Sequence, residues 1–301
     1  MELTYKKARE FIYRNARPID LARWQYHFED GKKEEVLKVL AYYQNEDGGF
    51  GHALEADSWN PHSTPIQTWT ATEILREIGF ADREHPIMQG ILKYLDSGAC
   101  FDGHFWYASI VSNNDYPHAP WWHTEESSIW GYNPTACLAG FVIRFADRES
   151  ELYEKGCQIA REAFESLRQE HRVEGETLCY IRLLQYCREA NVTNLIDLDW
   201  LEEKMREAVK KNICPRKEDW EFKYVCRPSQ YVEGKECIFY EDNKELADYE
   251  CEFIANTQLE DGSWNLNWQW KDYPEEWTIA RNWWKADRAI HNLLYMRGMG
   301  V

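Results

Sequence analysis

Positive charge is what this sequence has too little of: 35 Lys and Arg stand against 52 Asp and Glu, a formal charge of −17. A field of that sign repels phosphate backbones and anionic lipid surfaces, so nucleic acid is not an expected partner. The one dense basic run, from Lys204 to Lys217, reads as the solvated face and C-terminus of a helix, where cations suit the dipole. Long apolar runs are missing too. Nothing approaches the roughly 20 residues of a membrane span, and Met1-Glu2-Leu3-Thr4-Tyr5-Lys6-Lys7 holds no apolar signal core. No stable membrane insertion and a cytoplasmic location are therefore expected. The nine Cys are scattered and odd in number, with no paired C-x-x-C spacing, which argues against a disulfide framework and a zinc site. Gly-rich phosphate loops and Gly-x-Ser-x-Gly elbows are absent. No metal and no cofactor is expected. No Pro/Gly/Ser-rich linker interrupts the chain, so one domain over residues 1–301 is expected.

What is abundant is aromatic. Phe, Trp and Tyr make up 15% of the chain, with 15 Trp, a load that belongs in a core or around a cavity. A short phrase also recurs. Asp47-Gly48-Gly49-Phe50, Asp102-Gly103-His104-Phe105 and Asp261-Gly262-Ser263-Trp264 each follow a stretch with helical periodicity. In the first and last copies a glutamine, Gln44 or Gln258, stands three residues before the Asp. Recurrent helix-then-turn phrases mark a repeat architecture. Asp-Gly supplies the turn because Gly takes positive φ without strain, and the aromatic packs back on the helix just ended.

Helix signals dominate the remainder. Val36, Leu37, Val39, Leu40 and Tyr43 form one apolar face, and Ala71, Ile74, Leu75 and Ile78 another, opened by Ser63-Thr64-Pro65 and closed at Gly79. Pro86 to Ser97-Gly98 bounds the next. Later helices are expected near 133–146, 150–170, 176–190, 198–212, 244–258 and 277–297, with one or two before residue 30. The irregular stretches 99–130 and 213–243 are where function is expected to concentrate.

Helix, Gln, Asp-Gly and aromatic in repetition resembles the α/α-toroid superfamily of class II terpene cyclases and protein prenyltransferase β subunits. The run Asp47-Gly48-Gly49-Phe50-Gly51-His52-Ala53-Leu54-Glu55-Ala56-Asp57 is similar to a segment of uncharacterised bacterial proteins grouped with it. The resemblance implies an all-α fold, an α/α toroid of about six helical hairpins in inner and outer rings, with an aromatic-lined central cavity. The cyclases' Asp-x-Asp-Asp acid motif is absent. So are the Asp-x-Cys and distant His of the prenyltransferase zinc site: Asp248, Glu250, Cys251 and His291 do not have its spacing. No Asp-Asp-x-x-Asp motif is present for magnesium and diphosphate.

Three constellations carry candidate chemistry. His52, Glu55 and Asp57 lie within six residues of one loop and suit general acid and base work, or else cap the next helix and pair with cations. Gln67, Thr68 and Thr72, with Trp69 beside them, give the following helix a polar second face that lines a pocket or meets solvent. Trp121, Trp122, His123, Glu125, Trp130, Tyr132 and Asn133 form an aromatic loop, with His123 and Glu125 as its polar candidates. Aromatic faces of this kind stack on sugar rings or cradle a cation, and equally pin a long loop. Tyr224, Arg227 and Tyr231 come third, with Trp283, Asp287 and His291 at four-residue spacing on the last helix, where packing is the plainer role.

The leading expectation is an isoprenoid-cyclase-like enzyme acting on a mostly apolar small molecule, with Glu55 or Asp57 as the protonated acid. The alternatives are a carbohydrate-active toroid using paired carboxylates on a neutral saccharide, and a binding or scaffold protein without catalysis.

Overall fold

Caps and prolines in the sequence fix where most helices begin. The computed structural model describes residues 2–169 and 175–301, and among these eleven α-helices are joined by turns and isolated β-bridges. They are α1 (Glu2–Asn15), α2 (Pro18–Phe28), α3 (Lys33–Leu40), α4 (Pro65–Glu77), α5 (Pro86–Asp96) and α6 (Thr135–Phe145). They continue with α7 (Glu151–Gln169), α8 (Thr177–Glu189), α9 (Leu198–Asn212), α10 (Tyr240–Asn256) and α11 (Pro274–Gly298). The all-α expectation is met among the described residues. None of these helices is long and apolar enough to cross a membrane. At α4 the Thr64 hydroxyl accepts from the Gln67 amide at 3.0 Å and Pro65 takes the first helical position. At α5 the His85 ring accepts from the Ile87 amide and Pro86 follows it.

The chain divides into two compact units: residues 2–39 with Arg206–Val301, and the described residues of Leu40–Met205. In the second unit α6 is the central element. Thr135 through Ile143 are all buried, so the helix is covered on every side, chiefly by α7 and α8. Small residues permit the close approach: a side chain at Gly156 would meet Val142 at 2.7 Å, and one at Gly140 the Leu183 backbone at 3.1 Å. In the first unit α11 packs on α1, α2 and α10.

Two copies of the turn phrase are built alike. The Gln44 side-chain amide donates to Gly48 O at 2.9 Å and to Ile87 O at 3.0 Å, tying its own turn to the start of α5. Gln258 donates to Gly262 O and Thr4 O, both at 2.9 Å, tying its turn to α1. Asp47 and Asp261 each accept at 2.9 Å from the amide two residues on. Gly48 and Gly262 have φ of 94° and 91°, and a Cβ on either would lie 2.0 Å from a carbonyl of the docked helix, Gly90 or Lys7. Trp264 donates its indole N–H to Ile254 O on α10, the helix just ended. The third copy lacks the glutamine, and Gly103 has nothing within 4 Å of its would-be Cβ. It makes the turn without the docking.

Candidate functional site

The loop after the first turn is held from beneath by α4. Gln67, fully buried, accepts from Leu54 N at 2.9 Å and donates to Asn60 O at 3.0 Å. Thr68 accepts from Phe50 N, and Thr72 donates to Trp69 O. The polar second face of α4 is thus buried against the loop and its own helix, which removes the solvent-facing alternative. Held this way, His52 and Ala53 adopt left-handed φ of 59° and 62°. That conformation costs residues with a Cβ and persists where the surroundings over-determine it. His52 is exposed, its Nε2 paired with Asn45 Oδ1 at 2.9 Å. Glu55 is half-buried and Asp57 is buried, at 3% exposure.

Residues 107–130 lie directly across this loop. Ala119 N donates to Asp57 O at 2.8 Å, Trp59 N donates to Pro117 O at 2.9 Å, and Ser58 bridges to His118. Beneath them the Asn60 amide donates to Asn113 Oδ1 and Ser112 Oγ, each at 2.9 Å. The structure therefore brings together the His52–Glu55–Asp57 loop and the aromatic loop, sixty residues apart in sequence. His118 was not singled out by the sequence. It is buried, its Nδ1–H donates to Tyr116 O at 2.6 Å, and its ring stacks on His123 at 5.5 Å and 15°. His123 faces Glu125 at 3.4 Å, a loose pair in which Glu125 is 92% exposed. Glu125 is thus a surface carboxylate, not an acid sheltered from water.

The aromatic loop ends at a pocket. Trp122, buried, stacks on Trp130 at 5.2 Å and 10°, while Trp121 and Trp130 remain 38% exposed. Trp130, Tyr132, Asn133, Phe105, Ser166 and Glu176 line an open pocket of about 410 Å³. Glu176 accepts from the Tyr132 amide, Asn133 Nδ2 donates to Gly175 O at 3.0 Å, and Phe105 packs on Tyr132 at 4.9 Å. The Asn133 side-chain carbonyl is buried with no hydrogen-bond partner among the described residues. An unfilled acceptor at a pocket wall is costly unless something occupies it. Trp69, further along α4, donates to Glu73, which is ion-paired with Arg182 at 2.8 Å.

The other predicted residues belong to the first unit. Arg227 pairs with the fully buried Glu250 at 3.2 Å, and Ser229 donates to the same carboxylate through N and Oγ. Tyr224 is 80% exposed. Trp283 lies under the Arg17 guanidinium, 5.4 Å from its ring centre. Asp287 pairs with Arg23 at 2.7 Å and His291 at 3.1 Å, so Asp287 and His291 form a charged network with α2 where apolar packing was the plainer expectation. Arg23 also reaches Asp20, which Arg17 holds at 2.8 Å. Arg23 Nη2 also lies 3.4 Å from His291 Nε2, and the other ring nitrogen, Nδ1, faces Asp287. Glu250 carries no local sequence signal for its part in this pairing. Among the described residues no three His, Cys, Asp or Glu side chains gather as a metal would require. No family model matches the chain, and no curated protein or solved structure does.

Proposed function

We propose that the chain is a helical-hairpin repeat protein of the α/α-toroid kind that binds a neutral saccharide where the loops of its second unit meet. The toroid part rests on the two glutamine-tied Asp-Gly turns, which fasten the end of α3 to α5 and the end of α10 to α1. The saccharide part rests on one observation: Trp130, backed by Trp122, presents a half-exposed face at an open pocket that also holds the unfilled Asn133 carbonyl, Ser166 and Glu176. A sugar ring offers C–H groups to an aromatic face and hydroxyls to just such acceptors. The acidic field of the chain favours a neutral ligand over an anionic one. His52, Glu55 and Asp57, joined to the same loop cluster, are the acid and base candidates.

A second reading, isoprenoid-cyclase-like chemistry with Asp57 as general acid, draws on the burial of that residue between the two loops, where water is excluded. Titrating the full chain with neutral glucan oligosaccharides and with geranylgeraniol, followed by tryptophan fluorescence, separates the two. Saturable binding of the sugars is expected, weakened about tenfold in Trp130→Ala, since the substitution removes the aromatic face on which the C–H groups of the sugar pack. Saturation by the isoprenoid alone, or a Trp130→Ala chain that binds sugar as tightly as the parent, removes the saccharide reading.

A further inference from the structure

Among the arginines of the first unit that are buried or half-buried, one has no carboxylate paired with it among the described residues. Along α2 and α11 the two guanidinium groups of Arg17 and Arg23 meet the two carboxylates of Asp20 and Asp287, with His291 beside them. Arg227 is matched by Glu250. Arg288 is left over. Its Nη1 donates to the backbone carbonyl of Asn265, its guanidinium lies 5.0 Å from the centre of the Trp268 ring, and no carboxylate pairs with it among the described residues. Among the described residues one of its five N–H donors is used, on a group that is half-buried. Burial, and next the neighbouring Arg227 charge, pull its pKa down to about 10, so it remains a cation at neutral pH.

The surroundings are those of a site. The Trp268 indole N–H is buried and has no hydrogen-bond partner among the described residues. Trp268 meets Trp284 edge to face at 5.6 Å and Tyr224 at 6.1 Å, and Tyr224 leaves most of its ring open to solvent. A guanidinium without a paired carboxylate and an indole N–H without an acceptor, both among the described residues, thus share one aromatic cluster with an exposed ring. In a chain of charge −17 this is the reverse of the general field.

We propose that Arg288, with Trp268 and Tyr224, binds the carboxylate of a small aromatic acid. The carboxylate accepts from Arg288 N–H groups that have no partner among the described residues and from Trp268 Nε1, and the ring of the ligand rests on Tyr224. Asp287 and Glu250 already act on Arg288, so a monoanion suits the place better than a dianion, which these carboxylates repel more strongly. Planar two-oxygen groups also match the fork of a guanidinium better than a point charge does. The site depends on the first unit alone and stands whether or not the saccharide reading does.

Benzoate is a suitable probe, with benzamide as its neutral isostere and inorganic phosphate as the competing anion, each titrated into the full chain at constant ionic strength and read by tryptophan fluorescence. Benzoate is expected to saturate, with benzamide at least tenfold weaker. Arg288→Gln should lose about tenfold or more for benzoate and nothing for benzamide, and Trp268→Phe, which keeps a ring and removes the donor, should lose severalfold. The proposal is overturned by equal binding of benzoate and benzamide, by phosphate binding more tightly than benzoate, or by a folded Arg288→Gln chain with unchanged affinity. Should Arg288→Gln fail to fold, the benzoate–benzamide comparison on the unaltered chain decides alone.

Discussion

At Asp287 two opposing effects act on one carboxyl. Burial alone would raise its pKa, but the charges and hydrogen bonds of His291 and Arg23 outweigh it and hold the group well below the ordinary carboxylate range. Glu250 goes the other way: burial dominates, and its pKa stays raised despite Arg227 and the two Ser229 donors. Because Asp287 titrates in the fold below its unfolded value of about 3.9, its stabilisation is complete above about pH 4. It is lost as the pH falls through the folded value. Asp287→Asn leaves Arg23 with one carboxylate where it had two, and should cost about 2–3 kcal/mol in urea unfolding near neutral pH, less than a fully buried pair because the side chain keeps some exposure. The gap between parent and variant should narrow steadily below about pH 4. A gap that is constant across that range would assign the residue a packing role only.

At the scale of the element, the Asp-Gly turn is a docking device wherever a glutamine precedes it. Gly48 and Gly262 combine positive φ with contact to a neighbouring helix backbone, whereas Gly103 has the φ of 111° without the contact. Gly103→Ala should therefore cost about 1–2 kcal/mol, the price of left-handed backbone alone. Gly48→Ala and Gly262→Ala must also push a helix away, and should each cost at least about 3 kcal/mol. Thermal or urea unfolding of the three variants checks the ordering, and equal losses would mean that the docking contributes nothing. Much of this level could be read in the residues. Thr64-Pro65 and Pro86 start α4 and α5, and α9 runs over Leu198–Asn212 as its periodicity predicts. α10 begins at Tyr240, ahead of the expected 244, because its first turn, Tyr240-Glu241-Asp242-Asn243, carries no apolar stripe. α11 begins at Pro274, ahead of 277, since a proline at the first helical turn outweighs the polar residues after it. The candidate site was legible as two separate loops. Their union was not, because it depends on amide contacts such as Asn60 to Asn113 and Asp57 to Ala119, whose partners share no local pattern.

For the molecule, sequence separation is the larger lesson: the first unit is held together by contacts between residues more than 250 apart in the chain. Ala8, Phe11 and Ile12 of α1 are buried, α1 packs on α11, Gln258 donates to Thr4 O, and the Gly262 turn lies on Lys7 O. Arg297 reaches back to His27 O at 2.8 Å. No local pattern encodes such pairings, although the second Gln-Asp-Gly phrase marks the place where one forms. Deleting residues 1–15 removes the apolar side chains of Phe11 and Ile12, each worth about 1.5–3 kcal/mol when buried. It also leaves the Gln258 amide and the face of the Gly262 turn without their partner, at about 1–3 kcal/mol more. Together these losses approach the whole stability of an ordinary domain, about 5–15 kcal/mol. The shortened chain should consequently exchange the backbone amides of α10 and α11 at least tenfold faster than the full chain in hydrogen-exchange mass spectrometry. Unchanged protection over Tyr240–Asn256 and Pro274–Gly298 would show that α1 merely covers a unit already stable without it.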